Sequence, residues 1–201
     1  MIYTGEMILE TGEFSEEAHS NPRMKLSREV KKGKYTRLKR NLYLLDRDIP
    51  NIALAQSIYG PSYISFDYAL SYYGMIPEYA YNISCATFRK HKDKVFKTDI
   101  CSFYYSDVPP QVFSKEVICM DYKGYAFYLA TMEKALCDKL YKIPPVVNKR
   151  DFEALLLDDM RLEEDTLFNL DKVAIKNLNP LYKSRNVSML ERYLDSSEVV
   201  A

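Results

Sequence analysis

The chain has 201 residues, of which 47% are hydrophobic and 13% aromatic, and its 28 Lys and Arg balance its 28 Asp and Glu. This composition is that of a folded protein and excludes a disordered or low-complexity chain. The longest uncharged stretch, residues 49–66, contains Pro, Asn, Gln, Gly and Ser, and the N-terminus has no unbroken apolar run. We therefore expect no membrane span and no secretion signal, which predicts a cytoplasmic protein of one or two domains.

The neutral total conceals a strong charge polarity along the chain. Residues 23–47 contain ten basic and two acidic side chains, whereas residues 1–22 contain five acidic and no basic ones. Residues 151–201 are again acidic, with eleven acidic and six basic side chains. A basic block of this kind is typical of a surface that binds a polyanion. The alternative is that the charges only solvate a surface helix.

Three helices are predicted at the start of the chain. The first covers Ile2 to Glu10, and a second, short one begins at Ser15. The third is the best defined, because Asn21 before Pro22 is a helix-start signal and Gly33 closes the segment after Lys32.

The third helix is amphipathic and basic. At 100° per residue Leu26 and Val30 point to one side, which can dock on a core. The opposite side carries cations that can contact phosphate, while Arg23 in the first turn falls on neither face cleanly. The cations of the outer face are Lys25, Arg28, Lys31 and Lys32.

A hairpin is predicted directly after this helix. Two β-prone runs, residues 35–38 and 42–45, flank a polar turn at residues 39–41, in which Asn41 tolerates the left-handed conformation. Alternation along the first strand places Thr36 and Leu38 inside and Tyr35 and Arg37 outside. The order of helix, short helix, basic helix and hairpin predicts a winged helix-turn-helix over residues 1–47 that binds double-stranded DNA.

Residues 48–201 are predicted to form a second, α+β domain. A connecting segment at 46–61 leads to a helix capped by Ser65 and ended by Gly74. Five strands follow between residues 79 and 129, and their closeness in sequence favours a small, mainly antiparallel sheet. A helix capped by Thr131 and a helical tail from Asn148 complete the domain.

No catalytic constellation is convincing, so we expect no enzyme, no cofactor and no metal. The four cysteines are spaced by 16, 18 and 18 residues, which excludes a usual zinc motif and favours free thiols. His19 and His91 lie in polar stretches typical of surface histidines. The best chemical candidate is the (D/E)-x-K pattern of metal-dependent nucleases at Asp121 to Lys123, with Asp99 or Asp107 as a further ligand. A simple hairpin turn ending at Gly124 explains the same residues.

Seven tyrosines between residues 59 and 81 leave two roles open. Their rings could stack on nucleic-acid bases, but their helical or strand spacing favours packing in a core. These residues are Tyr59, Tyr63, Tyr68, Tyr72, Tyr73, Tyr79 and Tyr81.

Three sequence pieces, "REVKKGKYTRLKRNLYLL", "GPSYISFDYALSYYGMIPE" and "YLATMEKALCDKLY", resemble in order and separation the AbiEi-type antitoxins. These proteins are transcriptional regulators of phage-defence, or type IV toxin–antitoxin, systems. The resemblance runs from about residue 14 to the end. Where the family commonly has Arg-Gly before the second wing strand, this chain has Arg40 and Asn41.

The resemblance implies a winged-helix domain that binds the promoter of its own operon and a second domain that counteracts a toxin with a nucleotidyltransferase fold. It does not require a stable complex with that toxin. Two other hypotheses stay open, a stand-alone regulator whose second domain binds a protein or small ligand, and the nuclease. The DNA-reading residues that the resemblance implies are Arg23, Lys25, Arg28, Lys31, Lys32, Lys34, Arg37, Lys39 and Arg40.

Overall fold

The computed structural model describes residues 1–11, 14, 21–45 and 48–196. Within these ranges the chain has an α+β fold with a three-stranded sheet near the N-terminus and a six-stranded sheet in the remainder. The short helix predicted to begin at Ser15 lies outside the described residues, as does His19.

The small sheet has the order β1-β3-β2 and is antiparallel throughout. Its strands are β1 (Ile2–Thr4), β2 (Thr36–Lys39) and β3 (Leu42–Leu44), and two helices join them, α1 (Gly5–Leu9) and α2 (Pro22–Lys31). The prediction of a helix from Ile2 is therefore wrong in its first residues. Ile2 pairs with Leu44, so a distant strand overrides the local helical pattern there.

The larger sheet has the order β6-β7-β5-β4-β9-β8. Neighbours β5 and β7 are parallel, as are β4 and β9, whereas the other three pairings are antiparallel. The sheet is thus mixed but, as predicted, mainly antiparallel. Strands β5 and β7 are parallel because β6, which lies between them in the chain, pairs on the outer side of β7 at the sheet edge. The strands are β4 (Tyr63–Ile64), β5 (Ile83–Thr87), β6 (Lys94–Lys97), β7 (Ser102–Asp107), β8 (Val117–Tyr122) and β9 (Tyr125–Ala130).

Helices surround this sheet and form the C-terminal part of the chain. The segment predicted as a connection at 46–61 is wrong in part, because it contains α3 (Asn51–Ile58). The helix after Ser65 and the helical tail are confirmed, and one π-helical turn, Leu155–Asp159, extends α6. The remaining helices are α4 (Phe66–Tyr72), α5 (Met132–Lys142), α6 (Lys149–Ala154), α7 (Glu164–Phe168), α8 (Lys172–Tyr182) and α9 (Arg185–Ser196).

Among the described residues, buried apolar side chains form two clusters. The smaller consists of Ile8, Phe14, Leu26 and Tyr35, and the larger fills the space between the six-stranded sheet and helices α3 to α9. Leu38 and Leu44 of the hairpin belong to the larger cluster. The boundary at residue 47 stays a prediction.

In the described ranges every helix is too short or too polar to cross a lipid bilayer. The cytoplasmic location stays a prediction.

Candidate nucleic-acid interface

The basic helix α2 is defined at both ends by local contacts. The Asn21 side chain accepts a hydrogen bond of 3.0 Å from the Met24 amide, and Pro22 occupies the first turn. At the other end Gly33 has φ +79°, and its amide and that of Lys34 donate back to the carbonyls of Val30 and Glu29. This is a Schellman motif, in which glycine supplies the left-handed residue. The predicted helix is confirmed.

The inner side of α2 packs on the small apolar cluster. Leu26 is 4% exposed, and Val30 is partly buried against the same group. The rings of Phe14 and Tyr35 meet edge to face at 6.1 Å between centroids. Tyr35 is therefore buried, and its predicted outward orientation is wrong, because the ring has an aromatic partner that strand alternation does not reveal.

Most of the predicted cations lie on the solvent side of α2. Arg28 and Lys31 are exposed in the last turns, and the Lys32 side chain is 71% exposed. Lys32 forms an ion pair of 2.9 Å with Glu29 of the same helix, which lowers the pKa of that carboxyl by a hydrogen bond from the ammonium. The predicted cations of α2 and of the residues that follow it that are exposed are Arg23, Arg28, Lys31, Lys32 and Lys34.

Lys25 differs from these residues. It is half-buried, and its ammonium lies 4.8 Å from the centroid of the Phe14 ring, within the range of a cation–π contact. Lys25 thus lies on the flank of α2, where its ammonium contacts the Phe14 ring of the small cluster.

The predicted hairpin is confirmed as β2 paired with β3. Asn41 in the turn has φ +62°, the left-handed conformation expected of it, and its side chain lies against Gly5. A Cβ at Gly5 would lie 2.3 Å from the Asn41 side-chain oxygen, so a larger residue there would require the Asn41 side chain to move.

The hairpin cations divide between solvent and the rest of the chain. Arg37 and Arg40 are exposed beside the turn. Lys39 is partly buried, and its ammonium donates a hydrogen bond to the Ile58 carbonyl at the end of α3. Lys39 therefore fixes the hairpin to the larger half of the molecule.

A second group of charged residues, which the sequence analysis missed, lies in the core of that half. Lys134 and Asp138 are one turn apart on α5, both fully buried, with 3.0 Å between the ammonium and the carboxylate. Asp138 also accepts hydrogen bonds from Tyr63, Ser65 and Tyr182. Ser65 thus stands at the start of α4, but its hydroxyl bonds to Asp138 instead of capping the helix.

These residues, Tyr63, Ser65, Lys134, Asp138 and Tyr182, form a buried polar network in which burial is the main cause of the pKa shifts of Lys134 and the two tyrosines. Desolvation lowers the pKa of Lys134, although the Asp138 carboxylate opposes that change. Desolvation and the same carboxylate raise the pKa of both tyrosines well above the usual value. The sequence signal for this network was a Lys and an Asp four positions apart among apolar residues of one helix. Such charges are rarely buried unless they are paired.

The residues of the nuclease hypothesis do not come together. Asp121 accepts a hydrogen bond of 3.1 Å from the Gly124 amide, as the hairpin-turn alternative predicts. Asp107 ends β7, which is separated from β8 by three intervening strands, or about 19 Å at the usual strand spacing. Across the residues that the structure describes, no group of three His, Cys, Asp or Glu is placed to hold a metal ion.

Asp107 instead organises a turn. Its carboxylate accepts hydrogen bonds from the Thr87 hydroxyl at 2.7 Å and from the amides of Lys90 and His91 at 2.6 and 2.7 Å. Burial raises the pKa of Asp107, but these hydrogen bonds lower it by more, so the net direction is downward. The other candidate ligand, Asp99, is exposed.

The cysteines and the tyrosines fall into different environments. All four cysteines are free thiols, with Cys85 and Cys137 buried and Cys119 exposed. Among the seven tyrosines, Tyr63 is core, whereas Tyr79 and Tyr81 are 72% and 80% exposed. Core packing therefore explains only part of this set.

No protein-family model matches the chain, and a search of the curated proteins finds no match.

Proposed function

We propose that the protein is a DNA-binding transcriptional regulator that represses its own operon and acts as the antitoxin of a nucleotidyltransferase-like toxin. The observation that carries the DNA-binding part is the placement of α2. Its inner side packs on the small cluster through Leu26, while Arg28, Lys31 and Lys32 of its outer side are exposed to solvent.

The element order supports a winged helix-turn-helix at the N-terminus. Strand β1, helix α1, the basic helix α2 and the β2–β3 hairpin follow one another, and the hairpin turn carries exposed Arg40 beside Asn41. In such domains the second helix of the motif enters the major groove and the hairpin contacts the adjoining backbone. On this proposal α2 is the recognition helix and β2–β3 is the wing.

The antitoxin part of the proposal rests on the resemblance to the AbiEi-type antitoxins. One of the three resembling pieces, "YLATMEKALCDKLY", supplies Lys134 and Asp138, the charged pair at the centre of the buried polar network. Within this piece, Asp138 bonds to Tyr63 and Lys134 bonds to Tyr182, so the resembling residues hold α5 against its neighbours in the core.

The DNA-binding test measures affinity for the DNA upstream of the chain's own gene at several salt concentrations. We expect the double variant Arg28→Ala with Lys32→Ala to bind more weakly and to lower the slope of log K against log salt by about two, since each lost phosphate contact removes about 0.9. The matched control is Lys176→Ala with Arg192→Ala, which removes an exposed lysine and an exposed arginine from α8 and α9. Equal slopes for the wild type and the α2 variant would reject α2 as the recognition helix.

The antitoxin test is co-expression with the product of the adjacent gene. If that product is a nucleotidyltransferase-like toxin, the full chain should restore growth, and the Arg28→Ala with Lys32→Ala variant should do so when expressed from an unrelated promoter. Failure of the wild type to restore growth would remove the antitoxin role and leave the DNA-binding proposal intact.

A further inference from the structure

A cleft of about 510 Å³ lies against strands β5 and β7 of the larger sheet. Its floor contains Ser84 and Tyr104, which are register partners on adjacent strands and so share one face. Lys139 and Lys142 of α5 form one wall, and the loop that carries Tyr79 and Tyr81 forms another. The volume falls within the range of small-molecule sites, about 300–1,000 Å³. We call it the tyrosine cleft.

The two loop tyrosines are held in place although they face solvent. Their ring centroids are 4.9 Å apart at an interplanar angle of 77°. Between them, the Ala80 amide donates a hydrogen bond of 3.1 Å to the Ser71 hydroxyl, which ties the loop to α4. Exposed aromatic rings in a fixed arrangement leave apolar surface in water, and such surface is typical of a binding site.

Two cations that line the same cleft are oriented by ion pairs. The Lys139 ammonium lies 2.7 and 2.9 Å from the two oxygens of Asp67, and Lys142 lies 3.3 Å from Asp93. Asp67 lines the cleft and Asp93 does not, so the lining residues carry two positive charges and one negative. A lysine oriented by a carboxylate can still donate its remaining protons to a phosphate.

Backbone strain coincides with this cleft. Phe66, which also lines it, has φ +55°, a conformation that a bulky side chain rarely adopts. Residues held in this way concentrate at functional sites, where the surrounding structure maintains them.

From this arrangement we infer that the tyrosine cleft binds a nucleotide, with the base stacked on Tyr79 or Tyr81 and the phosphate at Lys139 and Lys142. Aromatic faces accept any base, and each ammonium group keeps protons that it can donate to a phosphate beside its carboxylate partner. The ligand is either a free nucleotide or one nucleotide of a single strand. This inference does not depend on the proposed DNA contact of α2.

The experiment is isothermal titration calorimetry of the full-length protein with ATP and, separately, with a single-stranded RNA hexanucleotide of six uridines. We expect saturable binding of at least one probe with a dissociation constant below about 1 mM. Tyr79→Ala with Tyr81→Ala should weaken it by at least about fivefold, in keeping with the contribution of base stacking. Saturation by ATP would indicate a free nucleotide, and saturation by the hexanucleotide alone would indicate a strand.

Two matched variants separate stacking from other effects. Tyr79→Phe with Tyr81→Phe keeps both rings and should bind within about twofold of the wild type, since stacking does not need the hydroxyls. Tyr122→Ala with Tyr128→Ala removes two exposed tyrosines from the β8–β9 hairpin and should leave binding unchanged. The inference is overturned if neither probe saturates, or if the Tyr79 and Tyr81 alanine variant binds as tightly as the wild type.

Discussion

Helices α2 and α5 use lysine in opposite ways. On α2 the Lys32 side chain is 71% exposed and its ion-pair partner lies on the same helix. On α5 the Lys134 side chain is fully buried and bonds to Asp138 and to the Tyr182 hydroxyl. A charge in water can exchange its partner for a phosphate at little cost, whereas a charge in the core depends on every partner it has.

This difference separates binding from stability. Removing an exposed cation of α2 should change affinity for a polyanion and leave folding almost unaffected. Removing a member of the buried polar network should change folding first, because it leaves the remaining polar groups without partners.

The largest effect should come from Lys134→Met. The substitution leaves the Asp138 carboxylate buried without its ammonium, so we expect the free energy of unfolding to fall by about 3–5 kcal/mol. The control is Lys139→Met on the same helix, which removes a partly exposed ion pair with Asp67 of α4 and should cost about 0–1 kcal/mol. Urea unfolding measures both. Similar losses for the two variants would contradict the contrast between buried and exposed lysines.

A smaller loss is expected from Leu26→Ala on the inner side of α2. Leu-to-Ala changes in cores cost about 2–5 kcal/mol, and this site should fall near the lower end, because the surrounding cluster is small and can close on the cavity. Leu136→Ala in the large cluster of the C-terminal half should cost more. The reverse order in thermal or urea unfolding would show that the small cluster is the more tightly packed.

Asp107 is intermediate between the two extremes, a partly buried carboxylate bonded to a turn. The pKa of Asp107 is lowered in the folded protein. Its contribution to the free energy of unfolding is therefore complete above the unfolded pKa of about 3.9 and is lost as the pH falls through the pKa of the folded state. Asp107→Asn should therefore cost about 1–2 kcal/mol at pH 7, with a smaller difference from wild type near pH 3. Asp99→Asn, at an exposed position, is the control. A difference that does not change with pH would show that the carboxylate charge is not what stabilises the turn.

The smallest effect should be that of Arg28→Ala with Lys32→Ala on stability. Surface substitutions of this kind change the free energy of unfolding by about 0.5 kcal/mol or less. Thermal unfolding of the DNA-free variant checks this. A larger loss would mean that α2 needs its cations for folding, and any weaker DNA binding could then not be assigned to lost phosphate contacts.

Sequence reasoning succeeded where the determining contacts are local. Asn21 caps an amide three positions away, the Schellman motif at Gly33 spans five positions, and Asn41 itself adopts the left-handed conformation. The ends of α2 and the hairpin turn could therefore be predicted from residue type. It failed where distant residues decide. The pairing of Ile2 with Leu44 turned the first residues of a predicted helix into a strand, and Lys25 contacts the Phe14 ring, eleven positions earlier in the chain.

The candidate sites divide in the same way. The basic outer face of α2 follows from the helical period alone, with the exception of Lys25. The buried polar network joins Asp138 to Tyr63 and Ser65 across 75 and 73 positions, and Tyr79 and Lys139 line the same cleft. Spacing along the chain carries no information on such meetings, because the order of strands in the mixed sheet creates them.

The position of Leu38 and Leu44 in the larger apolar cluster limits how the chain can be divided. A fragment ending at residue 47 would carry both side chains without the surface that covers them, and the Lys39 ammonium would lose the Ile58 carbonyl. An isolated fragment of residues 1–47 would thus require polar replacements at both leucines. A fusion of this fragment to another regulator would require an apolar surface there that covers them.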